Sequence, residues 1–498
     1  MVNTVKILLV NPPQTFYPGS DSPAGNLPLG LMYIAAVLDD AGYRVEILDA
    51  FIKGSSFRKK GNTMKVGMPY EEIKYEIQRR KPSIVGIANP FTCQVEHSIK
   101  IGNIVKEVDK GILTVAGGPH ISAVPMQFMN EAESIDIAVV GEGDYAMLDI
   151  AKCYEGTKKI DGVRGIIYRN NGEITQNPPR PFIKNLDELP FPAYHLVDME
   201  QYLNPSKIEY RSFQSRAISM ITSRGCPFNC NFCSVHLHMG KTFRAHSADY
   251  VINHIEHVIS KYKVKTIFFE DDNLTFDLKR FEAICDQIIE KRIKFNWETP
   301  NGIRADYLTR NLLNKMKKSG CQSVFFGIES GDQYVLDKII DKRLNLKDVV
   351  KVAKICKEIG ISTAAFYIIG FPGEKKEQML RTVELALNLK KEYDVGMLLH
   401  IATPSLGTSL YKECKEKGFI QGDLTSRDFA EVRQTRGMPV ISTEDFLASE
   451  VKEIASMAVQ RYKRLSLINY FKNPWKTLRT ALNQPKIVLK FIQNLQPA

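Results

Sequence analysis

From Val5 to about residue 150 the chain alternates short aliphatic runs with stretches whose apolar residues return every three or four positions. The first kind reads as buried strand and the second as amphipathic helix, so the pattern predicts a doubly wound, flavodoxin-like (Rossmann-type) α/β domain. Strands are expected at Val5–Val10, Val45–Leu48, Ile84–Ala88, Leu113–Ala116 and Ile137–Val140. Between the first two, Leu31, Ile34, Ala35 and Leu38 share one helical face, and Gly42 stops that helix. Ligands of such sheets sit beyond the carboxyl ends of the strands. Those ends are Asn11-Pro12-Pro13, Phe91-Thr92, Gly117-Gly118-Pro119-His120 and Gly141-Glu142-Gly143-Asp144. Two of the four are glycine-rich, which lets backbone approach a bulky planar or phosphate-bearing ligand.

The pattern changes over 151–205, where a hairpin is expected to turn at Asn171-Gly172 and six prolines follow between Pro178 and Pro205, as in a linker. From 206 to 405 the alternation resumes, with strands at Ile218–Ser223, Val264–Glu270, Lys294–Glu298, Gln322–Ile328, Thr363–Gly370 and Gly396–Ile401. Six β/α units suit a partial TIM-like (β/α)6 barrel with its chemistry at the strand carboxyl ends. Residues 406–498 read as a helical C-terminal region.

Composition narrows the functional classes. With 44% hydrophobic and 25% charged residues the chain has the makings of sizeable cores, and no apolar run reaches the length of a membrane span. Nine scattered cysteines do not form a secreted disulfide framework, so a cytoplasmic protein is expected. The net charge is +11, yet eight of the cations lie in 459–498 and no acid does, which leaves the body nearly balanced. That distribution speaks against a nucleic-acid-binding protein. In the tail, Val488, Phe491, Ile492 and Leu495, and before them Trp475, Leu478 and Leu482, fall at helical spacing among Lys476, Arg479, Lys486 and Lys490. A basic amphipathic helix of this kind predicts peripheral contact with the inner face of a membrane, and with it a lipid-like or otherwise hydrophobic small-molecule substrate. The same stripe is equally what packing against the barrel, with solvated lysines, requires.

The sharpest chemical signal is Arg224-Gly-Cys226-Pro-Phe-Asn-Cys230-Asn-Phe-Cys233-Ser, a C-x3-C-x2-C spacing directly after a predicted strand. Three thiolates from one loop can hold three irons of a cubane and leave the fourth open. The competing reading is a zinc module completed by His236 or His238, but such sites usually stabilise small folds, and this loop lies in a large one. The other six cysteines read as ordinary buried residues.

The cysteine spacing, the preceding strand and the β/α repeats resemble the radical S-adenosylmethionine superfamily, and the N-terminal domain makes its cobalamin-binding subclass the nearest likeness. The stretches that carry the second resemblance are Leu27-Pro28-Leu29-Gly30-Leu31, Gly117-Gly118-Pro119-His120 and Val140-Gly141-Glu142-Gly143-Asp144, so it covers roughly residues 1–405. It implies a cobalamin domain over 1–150, a radical domain over 206–405, and three cofactors: a [4Fe-4S] cluster on Cys226, Cys230 and Cys233, S-adenosylmethionine, and cobalamin. By the same analogy Glu329-Ser330 and Arg304 contact the ribose and amino acid end of S-adenosylmethionine, Phe232 lies near the adenine, and Glu298 belongs to the same set. A strand-end carboxylate, taken alone, is also what a helix cap or ion-pair partner looks like. Asn11, Thr92, Gly117, Gly118, Pro119, His120, Gly141, Glu142 and Gly143 would surround cobalamin. The D-x-H-x-x-G element that supplies a histidine below cobalt in many other cobalamin proteins is missing, so no firm lower ligand is expected, with His120 the residue to test. The reaction implied is methylation of an unactivated carbon, with an electron donor such as flavodoxin or ferredoxin. The alternative is ring closure or oxidation, as in enzymes resembling the anaerobic magnesium-protoporphyrin monomethyl ester cyclase. No individual catalytic residue is assigned.

Overall fold

A computed structural model describes residues 5–16, 26–52, 58–60, 63–204, 216–420, 425–434 and 438–472. Five parallel strands, Lys6–Asn11, Arg44–Asp49, Ile84–Ala88, Leu113–Gly117 and Ile137–Val139, form the first sheet in the order 2-1-3-4-5. This is the flavodoxin-like order, and its switch point lies between the first and third strands. Strand residues alternate between two cores, as a sheet covered on both faces requires. Ile7 and Leu9 face helices Leu29–Asp40 and Asp144–Tyr154, whereas Leu8 and Val10 face helices Tyr70–Arg80 and Val95–Val108.

The hairpin forms as expected, with Asn170 opposite Glu173. Its affiliation differs from expectation. Strand Ile166–Asn170 pairs antiparallel with Ile137–Val139, so the hairpin extends the first sheet and is no part of a linker. The proline-rich stretch after it is packed down: Phe191 stacks on His254 at 4.6 Å, Tyr194 Oη lies 2.9 Å from His254 Nε2, and Ala193 N donates to Met32 O.

The second sheet has six parallel strands in sequential order, Ala217–Met220, Thr266–Phe269, Asn296–Ile303, Cys321–Glu329, Ser362–Ile369 and Gly396–Ile401. Helices cover its outside, and side-chain caps start them: Ser247, Asp277, Thr309 and Asn345 each accept from a backbone N–H of the first turn. Along Cys321–Glu329 and Ser362–Ile369 the outward Val324, Phe326, Ala365 and Tyr367 are buried under helices. The alternating Phe325, Phe366 and Ile368 are half-buried and line the lumen.

Helix Ala448–Lys472 docks on helix Lys376–Tyr393. Val383, Leu387 and Ala458 form a small core there with Tyr462 and Leu465, and Arg461 pairs with Glu384. The start of the basic segment, to residue 467, is therefore packed on the barrel. The amphipathic stretches from Trp475 to Leu495 lie outside the described residues. No helix among the described residues is long and apolar enough to cross a membrane.

Candidate functional site

The cysteine loop leaves the carboxyl end of the first barrel strand. Gly225, at φ +80, makes the turn: a Cβ there would stand 2.5 Å from Thr242 O. Asn231 anchors the loop by donating from its backbone N to Ile340 O at 3.1 Å and from Nδ2 to Ile339 O at 2.9 Å. Cys226, Cys230 and Cys233 are half-buried free thiols. Burial pushes all three thiols upward, Cys233 to about 12, so they stay protonated until a metal displaces the protons. No three His, Cys, Asp or Glu side chains among the described residues converge on one metal ion, and His238 instead sets Nδ1 3.2 Å from Ser234 O. No zinc ligand set is assembled at this loop among the described residues. A cubane differs because each thiolate takes its own iron, and soft thiolates are the donors iron–sulfur clusters take. The donor set fits a cluster.

One strand away, the run Glu270-Asp271-Asp272-Asn273 tracks the approach to the loop. Asp271 Oδ1 accepts from Thr222 Oγ1 at 2.8 Å and Ser223 Oγ at 2.5 Å, Asp272 Oδ2 accepts from Gly225 N at 3.3 Å, and Asn273 Nδ2 donates to Cys226 Sγ at 3.7 Å.

Of the residues expected at S-adenosylmethionine, the fold brings some together. Arg304 stacks 4.1 Å over Phe228 of the loop and donates to Lys342 O at 2.8 Å. Lys342 Nζ in turn bonds Glu329 Oε1 at 2.8 Å. Glu329 sits at φ +68 next to a bulge, a conformation that is rare outside glycine and concentrates at functional sites. Ser330 Oγ lies 3.2 Å from Thr382 Oγ1, and Phe232 packs 5.7 Å from Phe371. Glu298 is not among them. It pairs in register with Ser323 and accepts its hydroxyl at 2.9 Å, six residues or about 20 Å of strand below Glu329.

At the first sheet, the expected cobalamin residues have mixed surroundings. Thr92 Oγ1 lies 3.2 Å from His120 Nδ1. Burial lowers His120 to about 4, leaving a neutral imidazole at neutral pH. Pro119 opens the short helix Pro119–Ala123, and Gly141 N donates to Ser122 Oγ at 3.0 Å. Asn11 donates to Asp49 at 3.0 Å. Gly118, at φ +135, is required by the protein itself, since a Cβ would stand 2.5 Å from Asn89 O; one on Gly143 would stand 2.8 Å from Ile34 Cδ1. Gly117 has room, with Val139 Cβ at 3.4 Å. The switch point has features that suit a corrin and its side-chain amides. Asn89 Oδ1 and Gln94 Oε1 are buried without hydrogen-bond partners among the described residues, and Phe91 beside them is 62% exposed.

Glu142 has a different environment from the open pocket its motif suggests. It is buried, accepts from Ile183 N at 2.8 Å, and pairs with Arg224 at 3.0 Å and Arg244 at 2.7 Å. Asp144 completes the node by pairing with Arg224 at 2.8 Å. The loop that ends the fifth strand of the first sheet is thus bound to the residue two positions before Cys226. Sequence reasoning missed Arg224, Arg244, Asp144, Lys342 and Asn273. Arg224 and Asp144 lie in the cysteine and glycine-rich motifs, where their charge is the one local signal of a partner; Arg244 and Lys342 carry no local signal.

Comparison with known proteins agrees with this architecture. Residues 25–151 match the B12 binding domain model and residues 220–386 the radical SAM superfamily model. An uncharacterised methyltransferase of Pyrococcus horikoshii is 32% identical over 415 residues, covering 82% of this chain and 83% of that protein. Cytidylyl-2-hydroxyethylphosphonate methyltransferase of Streptomyces wedmorensis is 30% identical, covering 83% and 82%. The anaerobic magnesium-protoporphyrin IX monomethyl ester cyclase of Rubrivivax gelatinosus is 26% identical, covering 77% and 65%. In fold, the chain resembles the radical S-adenosylmethionine methyltransferase TsrM of Kitasatospora setae, solved with cobalamin and a [4Fe-4S] cluster, with a TM-score of 0.63 at 18% identity over 83% of this chain and 78% of that one. With both family models matched in order and methyltransferase relatives matched over more than four fifths of each chain, this chain belongs to the cobalamin-binding radical S-adenosylmethionine enzymes, of the methyltransferase kind, whose cofactors are a [4Fe-4S] cluster, S-adenosylmethionine and cobalamin.

Proposed function

We propose that this enzyme methylates an unactivated carbon of a hydrophobic substrate held in the barrel lumen. The observation that carries this reading is the apolar wall of that lumen. Phe325 and Phe366 lie 5.9 Å apart, Phe366 and His400 6.1 Å apart, and Leu398 and Ile368 stand in register beside them. Partly exposed aromatic rings on an inward sheet face are stabilised by an apolar ligand that covers them.

In this reading Cys226, Cys230 and Cys233 hold the cluster, and Arg304, Glu329, Ser330 and Phe232 hold S-adenosylmethionine across the strand ends. Thr92, Gly117, His120 and Gly141 line the corrin with Asn89 and Gln94. Bound together, these cofactors supply a carbon-centred radical and a transferable methyl group. The chain's own residues bind, orient and exclude water: Arg224 holds the cysteine loop to the first domain, and the Glu329–Lys342 pair fills the space beneath Gly327. Domain limits near 205 and 405 belong to the same proposal, and the limit expected near 150 moves past the hairpin strand Glu173–Gln176, which belongs to the first sheet. The basic stretch beyond residue 473 supports membrane-associated substrate on its sequence pattern alone.

The test is anaerobic incubation of the reconstituted enzyme with S-adenosylmethionine deuterated in its methyl group and with hydrophobic and water-soluble metabolite fractions. A deuterated methyl in a product of the hydrophobic fraction, formed together with 5′-deoxyadenosine, is expected. Label confined to the water-soluble fraction would remove the hydrophobic reading. The second reading, ring closure or oxidation, draws on the cyclase relative and is marked by 5′-deoxyadenosine without label in the product.

A further inference from the structure

Three of the four consecutive side chains that follow the second barrel strand hold parts of the framework. Glu270 accepts from Ser219 Oγ, Asp271 from Thr222 and Ser223, and Asp272 from Gly225 N. The fourth is different, because Asn273 Nδ2 reaches the sulfur of Cys226 itself at 3.7 Å. Asn273 is 4% exposed, and its Oδ1 has no hydrogen-bond partner among the described residues. An amide that surrenders its hydration and satisfies only its N–H side costs stability, so a purely structural role is poorly served by it. Backbone N–H groups of Phe228 and Val235 also point at Cys226 and Cys233, and Asn273 is the donor that a substitution can remove.

We propose that Asn273 is a positioning residue that sets the reduction potential of the cluster through its N–H···S contact with Cys226. This rests on the assignment of the cluster to Cys226, Cys230 and Cys233. Hydrogen bonds to cluster sulfurs and solvent exposure are established determinants of such potentials, and groups just outside the ligands tune the metal. Uptake of one electron from an external one-electron donor adds a negative charge and makes or breaks no bond. An N–H dipole aimed at a ligand sulfur therefore favours the reduced state over the oxidised one. Burial strengthens the effect, because a low local dielectric screens the dipole little. The charges of Lys342, Glu329, Arg304 and Asp272 also act on these sulfurs, and the Asn273 variants leave all four in place.

The experiment uses the full chain, reconstituted anaerobically with iron and sulfide. Iron and sulfide contents, the electron paramagnetic resonance spectrum of the reduced state and its midpoint in a potentiometric titration are measured for the wild type, Asn273→Ala, Asn273→Asp and Asn273→Gln. Asn273→Ala is expected to keep its iron with a more negative midpoint. Asn273→Asp shifts further, since a carboxylate replaces the donor, and Asn273→Gln, which retains an amide, returns toward the wild-type value. Equal midpoints in the wild type, Asn273→Ala and Asn273→Asp would overturn the proposal. So would loss of iron in all three variants, which would make Asn273 part of the loop's framework. Wild-type protein without iron would instead defeat the cluster assignment itself.

Discussion

Replacing Arg224 by Met tests whether the charged node joins the two halves of the molecule. The Arg224 side chain is 8% exposed, and its carboxylate partners Glu142 and Asp144 are 3% and 5% exposed, so neither is rescued by solvent. Glu142 keeps Arg244 at 2.7 Å and the Ile183 N–H at 2.8 Å after the substitution. The loss therefore falls on Asp144, which would be left a buried carboxylate without its arginine. Removing one partner of a buried pair costs about 3–5 kcal/mol, a large share of the roughly 5–15 kcal/mol that stabilises a typical protein. Adding Asp144→Asn removes the stranded charge and leaves an imperfectly bonded amide, worth about 1–3 kcal/mol. The double variant is thus expected to be more stable than Arg224→Met alone. Urea unfolding of the apo-protein, followed by circular dichroism for the wild type, both singles and the double, measures the coupling. A change below about 1 kcal/mol for Arg224→Met, or a double variant that costs the sum of the singles, would refute the reasoning.

Burial raises Glu374 to about 8 while its carboxylate accepts from Gly370 N and Phe371 N. The folded state holds a proton that the unfolded state releases at the ordinary value of 4.5, so this group's contribution is complete below that pH and is lost as pH rises toward about 8. Glu374→Gln should flatten the fall in Tm across that window, and an unchanged slope would contradict the assignment. Gly117→Ala, where Val139 leaves 3.4 Å, is expected to fold and to bind cobalamin less well if the corrin lies on that backbone; absorbance of protein expressed with hydroxocobalamin reads it out. Gly118→Ala should destabilise the apo-protein itself, because its Cβ meets Asn89 O at 2.5 Å, so its cobalamin content is not diagnostic. Lys342→Met leaves Glu329 buried without its cation and should cost about 3–5 kcal/mol, most of which Glu329→Gln in the same chain restores on urea unfolding.

Strands, helices and the cysteine loop were legible in the sequence because each is announced within a few residues. Buried parallel strands are short aliphatic runs wherever they pair, helices repeat their apolar positions every turn, and three ligands of one cluster share one loop. The hairpin at Asn171-Gly172 was equally local, but its membership of the first sheet depended on Ile166–Asn170 finding Ile137–Val139, a pairing that no local pattern encodes. The same distinction holds for single residues. Glu142 in its glycine-rich motif looks like a ligand-facing group, and only the fold sets Arg224 and Arg244 against it from 82 and 102 positions away. Glu298 and Glu329 both sit on barrel strands, and the register alone decides that one lies low in the lumen and the other at the rim. Asn273 reaches Cys226 across 47 positions because two neighbouring parallel strands end at the same level. Local sequence settles what a segment can form, since propensity and periodicity act over one or two turns. Which charges, sulfurs and rings meet is decided by strand order and register, which are properties of the whole chain packed together.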